Sequence, residues 1–176
     1  MKRLLASLSL FLAIAMQNSA SATQGDDVAQ LRALEQAFAT AMNHKELDAV
    51  MAVYAPGPEL FVFDVVGPPS VHSGWAAYRE AFRNMFAAIA GPLALTMSDL
   101  DIHAGGEVAY SRSLQRVSGT YAKSGKQFDY SVRVTDVYRK IGGQWLIVQE
   151  HLSLPLERGP FAPMLHSSIT PHAAPS

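Results

Sequence analysis

Three ionisable residues in this chain stand where ionisable residues are scarce. Asp64 interrupts LFVFDVV, residues 60–66, as one charge among six apolar side chains. Asp136 and His151 lie in SVRVTDVYRKIGGQWLIVQEHLSLP, residues 131–155, among Val, Ile, Tyr and Trp. A carboxylate taken out of water has its pKa raised towards the range where a general base or acid works near neutrality, and histidine already titrates there. Each residue also has a bland reading. Asp64 and Asp136 can turn to solvent at a strand end, and His151 can be a satisfied core or interface histidine. The readings part on whether the fold gathers these groups in one cavity, because burying them unsatisfied costs several kcal/mol.

The elements that must position them follow from the periodicity. Residues 131–155 read as two long strands joined at Gly142-Gly143, whose freedom at positive φ suits a two-residue hairpin loop. If Ile141 pairs with Gln144, Asp136 faces Gln149 and Val134 faces His151. Tyr138, Asp136, Ile147, Gln149 and His151 then share one side of the sheet. A slip of one residue exchanges the faces, and Glu150 replaces Gln149 and His151 as the inward polar group. Upstream, Val108 to Thr120 reads as a strand between turns at Gly105-Gly106 and Ser124-Gly125. Pairing Tyr121 with Gln127 sets Arg112 opposite Asp136 on the cavity side, as half of an ion pair or as an anion-binding group. Leu95 and Met97 fall on the opposite parity to Leu100 and Ile102, which calls for a bulge near Ser98-Asp99.

The first half of the chain is helical in pattern. Val28, Leu31, Leu34, Phe38, Ala41 and Met42 recur at helical spacing after a cap at Asp26 or Asp27, with Arg32, Glu35 and Gln36 towards water and an end near Asn43 and His44. Leu47, Val50, Met51 and Tyr54 mark a second, short helix that Pro56-Gly57-Pro58 ends. Ser73 is placed to cap a third, which carries Trp75, Tyr78, Phe82, Met85, Phe86 and Ile89 on one side and stops at Gly91-Pro92. Tyr78 is the member of that stripe set to show its hydroxyl to a cavity.

The charge balance, 14 Lys and Arg against 15 Asp and Glu, leaves a formal net charge of -1 with no basic cluster, which argues against a nucleic-acid partner. There is no cysteine, so neither disulfides nor thiol catalysis is available. Lys2 and Arg3, an apolar run from Leu4 to Met16, and Ala20-Ser21-Ala22 have the three parts of a signal peptide. Residues 1–22 are therefore expected to be removed after Ala22, with export to the periplasm or outside the cell and no membrane attachment after processing. Residues 23–156 suit one domain. The stretch 157–176, rich in Pro, Ser, His and Ala, is expected to be a flexible tail.

Helix, helix, short hairpin, helix and then four long strands make an α+β domain: three N-terminal helices packed on a strongly bent, mostly antiparallel sheet that encloses a conical pocket. With LDAVMAVYAP, LFVFDVV, HSGWAAYREAF and above all VRVTDVYRKIGGQWLIVQEHLSLP, the chain resembles the SnoaL-like family of the nuclear transport factor 2-like and ketosteroid isomerase-like superfamily, over roughly residues 28–155. The resemblance implies that Asp64 stands where ketosteroid isomerases place the aspartate that moves the proton, and Asp136 where they place the protonated aspartate that hydrogen-bonds the enolate oxygen. Phe38 stands where their oxyanion tyrosine would be and brings no hydroxyl. An Arg112 neighbour would lower rather than raise the pKa of Asp136, which speaks against steroid isomerisation. His151 matches the second histidine of the H-E-H segment of SnoaL-like relatives. Gln149 replaces the first, so a metal held by that pair would lose a ligand, and no metal or cofactor is expected.

Three function classes follow. One is a cofactor-independent enzyme of isomerase, cyclase or lyase type, acting on a small, largely apolar carbonyl compound, with Asp64 as base and Asp136, Arg112 or His151 polarising the oxygen. Tyr54, Tyr78, Arg112, Tyr138, Gln149 and Phe38 form its expected ligand-binding set. The second is a non-catalytic small-molecule binder, and the third a dimeric interaction module; a homodimer through the outer sheet face is expected in each.

Overall fold

The computed structural model describes residues 25–66 and 70–155. The expected signal peptide, the tail and the Gly67-Pro68-Pro69 turn lie outside the described residues. Among the described residues are three helices, α1 (25–44), α2 (Leu47–Met51) and α3 (Trp75–Ala87), and six strands. The strands are β1 (Phe61–Phe63), β2 (Val71–Ser73), β3 (Ile89–Gly105), β4 (Val108–Tyr121), β5 (Gln127–Ile141) and β6 (Gln144–Ser153). They form the α+β cone expected, with the helices against one strongly curled sheet ordered β2-β1-β6-β5-β4-β3. β1 runs parallel to β6, and all other neighbours are antiparallel.

α1 buries the stripe its spacing requires, Leu31, Phe38, Ala41 and Met42, but Glu35 belongs to the same stripe and is only 2% exposed rather than turned to water. The reason is geometric: positions 31, 35, 38 and 42 fall on one helical face. Asp26 and Asp27 lie inside the helix instead of capping it. The Asp27 carboxylate accepts hydrogen bonds from Lys140 Nζ at 2.6 Å and Trp145 Nε1 at 3.0 Å, tying the helix start to the β5–β6 hairpin. At its other end Lys45 takes φ 56°. There the Asn43 side chain accepts from Leu95 N–H at 2.5 Å and donates to its carbonyl at 3.2 Å, clamping α1 to β3. α3 starts after Gly74, whose φ of 88° suits glycine, and not from a Ser73 cap. The helix ends at Ala87, and Gly91-Pro92 lies within β3 at a break in register between Ala90 and Ala94, so it interrupts a strand and does not stop a helix. The bulge expected near Ser98-Asp99 is present between Ser98 and Asp101, with Asp99 at φ 54°.

The long hairpin opens in the expected register, Ile141 against Gln144 and Tyr138 against Ile147, and then a bulge at Val148 shifts it, pairing Val137 with Gln149 and Asp136 with Glu150. The bulge falls where the neighbour on the far edge of β6 changes. Val53 and Ala55 bond to Ile147, whereas β1 pairs from Gln149 onwards. Buried positions accordingly switch from Trp145 and Ile147 to Glu150. Between β4 and β5 the partner of Gln127 is Thr120, one residue earlier than the assumed turn length allows, so Ser111 rather than Arg112 faces Asp136. Gly119 sits opposite Phe128, where a Cβ would fall 2.8 Å from the ring, and its bareness lets that ring lie across β4 as cavity wall.

Candidate functional site

α1, α3 and the inner face of the sheet enclose a cavity of about 480 Å³. Its walls are mostly apolar: Phe38 and Met42 from α1, Phe82 and Met85 from α3, Val117 and Phe128 from the sheet. Asp64, His72, Tyr78, Gln115 and Glu150 also line it, and no Lys or Arg does so among the described residues.

Asp64 reaches the cavity by parity. In the run from Leu60, Leu60 and Val62 are fully buried while Phe61 and Phe63 are exposed on the other side, and Asp64 continues the inward set just past the end of β1. Its Oδ1 accepts the Val65 N–H at 2.6 Å and its Oδ2 lies 3.2 Å from His72 Nε2. β2 places His72 opposite Val62, and the imidazole packs against the Tyr78 ring with centroids 5.3 Å apart. Both members of the pair keep partial access to the cavity, with side-chain exposures of 17% for Asp64 and 22% for His72. A carboxylate steadied on both oxygens beside an apolar space is placed to take a proton from a carbon acid.

Glu150 is the floor. It is 4% exposed, and the hydroxyls of Tyr54, at 2.8 Å, and Tyr78 both donate to its carboxylate. Burial raises its pKa to about 7 against the two hydroxyl hydrogen bonds, with the charges of Glu35 and Asp64 adding to the rise. Behind it Asp136 and Glu35, each 2% exposed, complete a buried carboxyl cluster. Burial first, and then the charges of Glu150 and Glu35, holds Asp136 well above the usual carboxylate range; its Oδ1 has no hydrogen-bond partner among the described residues. Burial likewise raises Glu35, opposed by the Tyr138 hydroxyl that donates to it, and Ser111 Oγ lies 2.7 Å from that hydroxyl. Burial pushes the hydroxyls of Tyr54, Tyr78 and Tyr138 up, so they stay protonated as donors.

The expected site is therefore partly assembled and partly dispersed. Asp64, Tyr78 and Phe38 line the cavity. Tyr54, Tyr138 and Asp136 are buried just outside its lining, in the carboxyl and tyrosine network. His151 and Gln149 are corrections: the Val148 bulge turns both to the outer face, where His151 packs on Phe63. Arg112 is a third. It is exposed on the outer face and pairs with Asp101, Nη2 to Oδ2 at 2.7 Å, and not with Asp136. Sequence reasoning had not assigned His72, Gln115, Ser111 or Glu35 to the site, and Glu150 entered it only as the consequence of a register slip. Among the described residues no three His, Asp or Glu side chains are arranged to hold a metal ion.

Comparison with known proteins agrees with this architecture. A model of the SnoaL-like domain matches residues 31–157. No curated protein matches the chain. Among solved structures, an NTF2-like protein of unknown function from Pseudomonas putida is 25% identical, with a TM-score of 0.65 over 78% of this chain and 90% of that one. A provisionally assigned scytalone dehydratase from Novosphingobium aromaticivorans is 15% identical, covering 77% of this chain and 89% of that one at a TM-score of 0.69. A ketosteroid isomerase-like protein from Erwinia carotovora atroseptica is 18% identical, covering 73% and 96% at a TM-score of 0.62. The last two likenesses show the fold alone.

Proposed function

The chain belongs to the SnoaL-like domain family of the NTF2-like superfamily, and from that premise we propose that its cavity binds a small, largely apolar carbonyl compound and moves a proton on it, with Asp64 as base. The observation that carries the proposal is the Asp64 carboxylate in the wall of an apolar cavity, oriented by the Val65 N–H and by His72. Asp64 takes a proton from the carbon next to the carbonyl, the electron pair moves onto the oxygen, and the proton returns at another carbon or is lost with a leaving group. Glu150, with its pKa near 7, both holds and yields a proton at neutral pH, and it lines the same cavity. A match between base and acid of this kind supports isomerase or dehydratase chemistry without a cofactor.

Occupancy comes before turnover. Addition of 2-tetralone, an apolar bicyclic ketone, is expected to raise the thermal midpoint of the folded chain, since a ligand at 100 times its Kd stabilises by about 2.7 kcal/mol. An unmoved midpoint across a series of such ketones would count against the reading. A non-catalytic binder is the second reading, favoured by one observation: both tyrosine hydroxyls at the floor are already committed to Glu150.

Export belongs to the proposal too, on the basic start, apolar run and small-residue site of residues 1–22. So does a homodimer through the outer sheet face, where Tyr110 and Leu114 are exposed beside the Asp101–Arg112 and Arg116–Asp129 pairs. Protein recovered from a periplasmic extract is expected to begin at Thr23 and to elute at twice the chain mass. A product retaining Met1, or a monomer, would contradict the respective half.

A further inference from the structure

Gln115 differs from the other polar side chains named in the cavity wall. It lies on the inner face of β4 opposite Val132, is 5% exposed, and lines the cavity. Asp64 and His72 hold each other, and so do Tyr78 and Glu150. The Gln115 carboxamide has no hydrogen-bond partner among the described residues. Unlike Ser113 Oγ and Asp136 Oδ1, which are buried without a partner among the described residues, the amide atoms of this 5% exposed residue are not shut off completely, and the cavity that Gln115 lines is where a ligand would meet them.

The charge of the lining narrows what that ligand can be. Asp64 and Glu150 are both there and no Lys or Arg is, among the described residues, so a carboxylate or phosphate would meet two acids, with His72, already paired to Asp64, as the one basic side chain in the lining. A carboxamide, by contrast, recognises a neutral oxygen through its N–H donors. We propose that Gln115 is the specificity-determining residue of the cavity, its amide donating to the oxygen of an uncharged carbonyl ligand. The proposal rests on the reading that the cavity binds such a ligand, and it gives Gln115 the oxygen-holding role expected of Arg112 and His151, which the fold turns to the outer face.

The test is a set of affinities on one skeleton: 2-tetralone, tetralin and tetralin-2-carboxylate, titrated calorimetrically against the whole folded protein and against Gln115→Met, which keeps length and volume. The native chain is expected to prefer the ketone over the hydrocarbon by about 10-fold and to bind the carboxylate at least that much more weakly than the ketone. Gln115→Met is expected to bind ketone and hydrocarbon within about 2-fold of each other, with hydrocarbon affinity kept. Ketone preference unchanged in Gln115→Met overturns the inference. So does a carboxylate bound as tightly as the ketone by the native chain, an outcome that needs no variant to fold. Binding of none of the three defeats the cavity reading itself along with the inference, whereas binding without ketone preference defeats the inference alone.

Discussion

Between pH 5 and pH 8 the folded chain is expected to lose stability, on the order of 2 kcal/mol from Glu150 alone. The sign follows from the direction of the shift. The Glu150 pKa in the folded chain is about 7, against an ordinary 4.5, because burial disfavours its charge. The folded state therefore binds more protons than the unfolded one between those values. The contribution is fully present below about 4.5 and is lost as pH rises through 7. Asp136 and Glu35, raised by the same burial, act in the same direction. Asp27 acts the opposite way at the acid end: the Lys140 hydrogen bond lowers its pKa, so its contribution is present above 3.8 and fades as pH falls further. Glu150→Gln keeps the shape and removes the charge, and should flatten the slope above pH 6. Urea unfolding at pH 5, 6.5 and 8 measures both. Stability that rises across this range, or a slope as steep in Glu150→Gln as in the native chain, would refute the burial account.

Much of this arrangement was legible in residues alone, and what was not has identifiable physical causes. Asp64 was visible as the one charge among six apolar residues, but that run left its direction open, and it is the alternation of β1, Leu60 and Val62 inward, that turns it to the cavity. The Gly142-Gly143 turn was visible too, since two glycines at φ 59° and 83° close a hairpin of fixed register. The Val148 bulge was not. Trp145, Leu146, Ile147 and Val148 are all apolar, so alternation carries no record of parity across them, and the choice between His151 and Glu150 hung on that record. Arg112 was misplaced by one residue of register: Tyr121, the last residue of β4, bonds Lys126 and leaves Gln127 to Thr120. Gln115 was hidden by an inverted pattern: its neighbour Leu114 is 43% exposed while the amide is buried. Glu35 reads as a surface residue by type, and only its spacing from Leu31, Phe38 and Met42 marks it as part of the buried face.

Replacing Asp64 by Asn is expected to cut proton transfer by about 10²-fold or more while leaving ketone affinity within a few-fold. The asparagine side chain keeps the size of the carboxylate and an oxygen for the Val65 N–H, so the cavity wall and the β1 end should hold their form. What it lacks is basicity. A loss of 10² corresponds to about 2.7 kcal/mol of transition-state stabilisation, which is large beside the fraction of a kcal/mol that a neutral side chain of equal shape should change in ground-state binding. Affinity lost in step with rate would instead make Asp64 a binding residue.

The central claim is that Asp64 is a base acting on a carbon acid held in this cavity. Deuterium uptake at C1 of 2-tetralone in D₂O, followed by proton NMR with native chain and Asp64→Asn each saturated at the same pH, tests it most directly. The account predicts uptake well above the buffer rate for the native chain and a native-to-variant ratio of about 100 or more. A ratio near one, with both proteins shown to be occupied, would contradict it.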